Sequence, residues 1–198
     1  MTPTASYDLQ YLQAGLDQLE SYLLSKDIYR PIGMQAARGQ PPYPQLTLGW
    51  LLLACQRLQA TAQTPAERME LERLSQQLDA MRSRWRTAWG SKAQAEFRAR
   101  LNLWRDYLEE YRQEPAANLD RYAYEINRRL LLEILAPEAA QLPDSDVQAL
   151  AGLDGWLKSA FIPGAFIWEP VLSASFPQPT YWYLYGKPRQ DIEQSINH

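Results

Sequence analysis

Three groups of side chains in this 198-residue chain have the types and spacing to do chemistry. The first is carboxylate: Glu67 and Glu70 stand at i, i+3, and Asp106 and Glu109 repeat that spacing. Two helices presenting such pairs face to face could hold Mg²⁺ through oxygen ligands. The second is cationic. Residues 82 to 105, RSRWRTAWGSKAQAEFRARLNLWR, carry seven positive charges and one negative. There Arg82, Arg84, Arg86, Arg98 and Arg100 alternate with Trp85, Trp89 and Trp104, and arginines beside open aromatic faces hold phosphates and stack bases. The third is aromatic: eight rings fall between Phe161 and Tyr185, with Glu169 an isolated charge among them.

Other chemistry is missing. The one histidine is His198, the last residue. This leaves no Ser-His-Asp or Cys-His arrangement and no histidine-ligated metal. Cys55 is the one cysteine and lies in the apolar run LLLAC, where it reads as a small buried hydrophobe. Neither GxGxxG nor GxxxxGK[ST] occurs, so no nucleotide cradle is indicated. The expectation is a chain without catalytic residues, cofactor or resident metal.

Each group also has a plainer role. The carboxylate spacing resembles that of all-α nucleotide pyrophosphohydrolases, whose paired carboxylates on bundle helices bind the metal. Their doubled glutamate preceding a third is missing here, and Glu67 can serve as a helix cap; the resemblance implies a Mg²⁺-dependent hydrolase as one alternative. Among the arginines, the tryptophans fall on or beside a heptad stripe, which favours burial over base stacking. The residues after 105 are net acidic and offer the arginines partners. A polyanion-binding or nucleic-acid-binding surface is the other alternative. For YWYLYG at 181 to 186, an extended strand would put Tyr181, Tyr183 and Tyr185 on one face and Trp182 and Leu184 on the other. Trp182 and Leu184 are expected to face the helices. Trp168, Glu169, Tyr181, Tyr183 and Tyr185 are then the candidates for contact with a partner or small ligand.

The elements that position these groups are mostly helical. Leu9, Leu12, Leu16, Leu19 and Leu23 make an amphipathic stripe over residues 6 to 26. Residues 27 to 45, with four prolines, form a long loop. A helix over 46 to 62 is apolar around much of its circumference and is expected at the centre. Thr64, Pro65 and Glu67 form a capping box that starts a third helix. Leu71, Leu74, Leu78, Met81, Trp85 and Ala88 follow on its stripe. A change of apolar phase at Gly90 and Ser91 predicts a break before a fourth helix carrying Phe97, Leu101, Trp104, Leu108 and Tyr111. Asn118 caps a fifth and Ser145 opens a sixth, with Val147, Leu150, Leu153 and Leu157 inward. Beyond Ile162, five prolines and the runs FIW and YWYLY predict a small hairpin or extended cap.

The fold class expected is therefore all-α: an antiparallel helical bundle of five or six helices over 1–162, with an aromatic, proline-rich appendage at 163–198 packed on the same domain. A net charge of −3 gives no global pull toward polyanions. No secretory leader or membrane-spanning segment is apparent, and the lone cysteine suits a reducing compartment, so the protein is expected to be cytoplasmic. The function expected is a non-catalytic interaction or scaffold protein, contacting an unknown protein or a second copy of itself through the aromatic C-terminal segment.

Overall fold

Threonine starts three of the helices. Thr4, Thr47 and Thr64 each accept a hydrogen bond from the backbone N–H three residues on, and Glu67 returns the bond to Thr64. The computed structural model describes residues 4–190. Within them lie α1 (Ala5–Leu23), α2 (Leu48–Thr61), α3 (Pro65–Arg84), α4 (Arg86–Gln113), α5 (Pro115–Asn118), α6 (Tyr122–Leu135) and α7 (Asp144–Ser159). Two short strands close the described chain, β1 (Phe161–Phe166) and β2 (Tyr185–Pro188). The chain is mostly helical with a small C-terminal two-stranded antiparallel sheet. His198 and the end of the expected appendage lie outside the described residues.

Helix α2 is central: it packs on α1, on α6 and on the 3-10 turn Pro170–Ser175, and buries Leu48, Leu51, Leu53, Ala54 and Leu58. Asp8 meets Arg57, and Gly15 lies against Leu51, so α1 and α2 run antiparallel. Helix α6 runs antiparallel to α4, with Arg128 donating to the Leu103 carbonyl and Arg121 paired with Glu110. Residues buried on all of these elements join one continuous hydrophobic core, which also includes Phe161, Phe176, Tyr183 and Leu184. Helix α7 lies at the periphery: of the inward stripe expected there, Leu157 is buried, Leu150 and Leu153 are half-buried against the core, and Val147 alone is exposed.

The break expected at Gly90 and Ser91 is absent, because the helix passes through both. It is interrupted at Trp85 alone, where ψ is +33°. The i to i−4 ladder continues on either side, through Trp85 N–H to Met81 and Trp89 N–H to Trp85. Gly90 serves close approach instead of termination. A Cβ there would sit 3.0 Å from the Ala140 backbone nitrogen, which donates to the Gly90 carbonyl. Asn118 likewise works backward: its amide donates to the carbonyls of Glu110 and Glu114, finishing α4. The seventh helix, beyond the five or six expected, is the single turn Pro115–Asn118.

Helix α1 is buried more widely than its leucine stripe predicts. Tyr7, Tyr11 and Tyr22 donate to the carbonyls of Pro42, Gln45 and Ile28, pinning the loop between α1 and α2 onto the helix. Arg30 and Leu46 exchange two backbone hydrogen bonds that close the neck of that loop.

In the C-terminal segment Phe161 pairs with Pro188, Ile162 with Lys187, Pro163 with Gly186 and Phe166 with Tyr185, with an irregularity between Pro163 and Phe166. YWYLYG is not an alternating strand. Trp182–Leu184 is a 3-10 turn that buries the adjacent residues Tyr183 and Leu184 together. Gly186 has φ +139°, and a Cβ there would fall inside van der Waals contact of the Ile162 carbonyl oxygen. Gly186→Ala is expected to lower stability by about 2–3 kcal/mol. A shift of the urea midpoint checks this, and an unchanged midpoint refutes the need for glycine there.

Candidate functional site

The proline-rich loop and the aromatic C-terminal segment, far apart in sequence, form two walls of one cleft of about 910 Å³. Pro41, Pro42 and Pro44 stand on one side, and Ile167, Trp168, Glu169 and Pro170 on the other. Trp50 and Arg57 of α2 and Tyr124 of α6 complete it. The loop wall is fixed by Tyr7, whose hydroxyl donates to Pro42 at 3.1 Å, and by Tyr43, whose ring lies 4.4 Å from that of Tyr7. The other wall is fixed by Trp168, edge-on to Phe176 at 5.3 Å, with Phe176 fully buried. Tyr124 is 74% exposed, an unusual position for a large ring.

Arg57 is only 8% exposed and lines the cleft. Its Nε donates to Asp8 Oδ2 at 2.9 Å and its Nη2 to Oδ1, a bidentate pair beneath the surface. Burial lifts the Asp8 carboxyl above its ordinary value, with Arg57 pulling it back down. Burial also pushes the Tyr7 hydroxyl up to about 12. Nη1 of Arg57 makes no hydrogen bond among the described residues. Glu169 is the one carboxylate lining the cleft, and it is exposed and without an ion pair among the described residues.

The five aromatic-segment candidates are not brought together. Trp168 and Glu169 line the cleft. Tyr181 lies elsewhere: its hydroxyl accepts from Gln56 at 2.9 Å, and it borders a separate hollow of about 430 Å³ beside Cys55 and Arg82. Tyr185 is half-buried and donates to the Phe176 carbonyl. Tyr183 is 0% exposed and packs under the Arg129 guanidinium, so it is a core residue and not a contact surface. The alternation that placed it outward fails because the segment coils through a 3-10 turn.

The arginine set is likewise dispersed. Arg100 is buried, donating from Nε to Glu96 Oε1 at 2.7 Å and from Nη2 to the Thr47 hydroxyl at 3.1 Å. Arg82 pairs with Glu138 and Asp79, Arg84 with Glu20, and Arg98 with Asp146. Arg86 is the exposed member with no ion pair among the described residues. Of the tryptophans, Trp89 and Trp104 are buried, and Arg82 and Arg84 lie over Trp89 and Trp85.

The carboxylate pairs do not face each other. Glu67 caps α3 and Glu70 pairs with Arg73, while Asp106 and Glu109 lie on the far half of α4. Because α3 and α4 run end to end, a helical path of roughly 50 Å separates the two pairs. Among the described residues no group of three or more His, Cys, Asp or Glu side chains could hold a metal ion. No described helix is long and apolar enough to cross a membrane. Burial pushes the Cys55 thiol up to about 12, so its reactive thiolate is scarce at neutral pH.

Sequence reasoning missed Tyr7, Trp50, Arg57 and Tyr124 as cleft residues. The available signal was Tyr124, an aromatic one position beyond the apolar stripe of α6. No protein-family model, curated protein or solved structure matches the chain.

Proposed function

We propose that the protein is a non-catalytic interaction module, in which a helical bundle forms one domain with its aromatic appendage and presents the cleft to a partner. What carries the reading is the exposed Tyr124 ring beside a cleft walled by prolines and tryptophans, a composition typical of binding surfaces. The polar groups there suit recognition better than bond-making, since the one carboxylate is exposed and the guanidinium is neutralised by Asp8. A cytoplasmic setting and contact with a second protein or a second copy belong to this reading.

The test compares the full chain with the double variant Tyr124→Ala, Glu169→Arg, both changes at exposed positions where fold stability moves by about 0.5 kcal/mol or less. Sedimentation velocity and affinity recovery from the producing cells should show an associated species with the parent chain that the double variant loses. A parent chain that sediments as a monomer and recovers nothing beyond what the variant recovers would refute the reading.

A further inference from the structure

We infer that the cleft receives an extended, proline-rich peptide in the polyproline II conformation with a basic residue at one end; this rests on the reading of the cleft as an interaction site. The argument begins with the polarity of its walls. Arg57, Trp50, Trp168 and Tyr124 line the cleft, and Arg57 Nη1, both indole N–H groups and the Tyr124 hydroxyl make no hydrogen bond among the described residues. All can donate, and Arg57, more than nine-tenths buried and lining the cleft, keeps the N–H groups of Nη1 free for an acceptor there.

A polyproline II strand is the complementary ligand. Its backbone makes no internal hydrogen bonds, so every carbonyl is a free acceptor, and proline contributes no N–H to compete. Pyrrolidine rings dock against aromatic side chains, and the conformation is set before binding, which limits the entropy lost. An ordinary strand-forming peptide would bring a row of N–H donors to a surface already rich in them.

The loop wall shows the same recognition once within the chain. The segment Pro41 to Pro44 is held by Tyr7 donating to the Pro42 carbonyl and by the stacking of Tyr43 on Tyr7 and Tyr11. The Pro42 carbonyl is thus already taken up by a tyrosine donor, and Pro41, Pro42 and Pro44 line the cleft. The charge fixes the polarity of the ligand: with Arg57 neutralised by Asp8, Glu169 is the uncompensated charge, and it selects a cation.

The probe is a dye-labelled decaproline carrying one N-terminal arginine, titrated with the full-length chain and followed by fluorescence anisotropy. A matched peptide with every proline replaced by alanine is the control, and decaproline without arginine is the third ligand. The arginine peptide should bind at least tenfold more tightly than the alanine peptide, and Tyr124→Ala should weaken it about tenfold. Glu169→Gln should weaken the arginine peptide about threefold and leave plain decaproline unchanged. No binding at millimolar protein, equal binding of the alanine peptide, or indifference to Tyr124→Ala would each overturn the inference. A cleft-dependent dimer that excess peptide fails to displace would assign the site to a second copy and overturn it too. Failure of the peptide while a cleft-dependent species persists in sedimentation removes this inference and leaves the interaction reading standing.

Discussion

Above about pH 10 the chain is expected to lose stability steeply, unfolding completely by about pH 12. The cause is a set of buried phenols: Tyr11, Tyr22, Tyr107, Tyr122 and Tyr183 are all pushed above the ordinary tyrosine value, with burial the largest cause in each. Four of them donate to backbone carbonyls, those of Gln45, Ile28, Asn118 and Tyr183. Ionisation would remove the proton that makes the bond and set a negative charge against the carbonyl oxygen.

A phenol whose folded value is raised keeps its proton in the folded chain after the unfolded chain has lost it. Its contribution is therefore intact below about pH 10 and is lost as pH rises toward the folded value. Five such groups give a limiting slope of about 7 kcal/mol per pH unit, set against a typical total stability of about 5–15 kcal/mol. Circular dichroism and phenolate absorbance recorded on the same pH series test this. The phenolate signal of these buried rings should appear together with the loss of helicity, near pH 11; complete phenolate formation with helicity intact at pH 12 would refute it.

The second large effect is expected from Glu96, a fully buried carboxylate on α4. Its Oε2 accepts the Gly49 N–H at 3.0 Å, in the first turn of α2, and its Oε1 accepts Arg100 Nε. Arg100 reaches on to Thr47, the residue that caps α2. One carboxylate thus satisfies a helix N-terminus and a buried cation at once. Glu96→Ala leaves both unanswered and is expected to cost about 3–5 kcal/mol, read as a fall in the urea midpoint. The double variant Glu96→Leu, Arg100→Met removes both charges and should recover a large part of that loss. A single variant within about 1 kcal/mol of the parent would show that water reaches the site.

Much of the helical outline was legible because it follows from local chemistry. The Thr64 and Glu67 box starts α3 where its hydrogen bonds require, and the all-round apolar surface of α2 places it in the centre. Misreadings arose where a residue type has two uses. Gly90 reads as a helix stop from sequence, but its role is to admit the Ala140 backbone, a neighbour 50 positions away. Asn118 reads as the start of a helix, yet its amide turns back to carbonyls on α4. The rings of YWYLY suit a strand, but alternation is lost once the backbone takes a 3-10 turn, so Tyr183 moves from the expected surface into the core.

The cleft was half legible. Trp168 and Glu169 stood out as an aromatic beside a lone charge, whereas the proline loop was legible only as a long loop. Arg57 and Trp50 could not be assigned, since a helix buried on nearly every side gives no periodic sign of which residues border a cavity. Arg100 was misassigned for a related reason: its counter-charge Glu96 is local, but the Thr47 hydroxyl that completes its site lies 53 positions away.

The walls of the cleft span residues 7 to 172, and this has a consequence for the time of synthesis. A ribosome adding about 5–20 residues per second needs on the order of ten seconds to travel from the proline loop to the 3-10 turn that faces it. Throughout that interval Trp50 and Arg57 have no opposing wall, and no nascent chain ending before residue 172 can present a complete cleft. A partner that recognises both walls would therefore pass over unfinished copies and engage the chain only after its appendage has been made and docked.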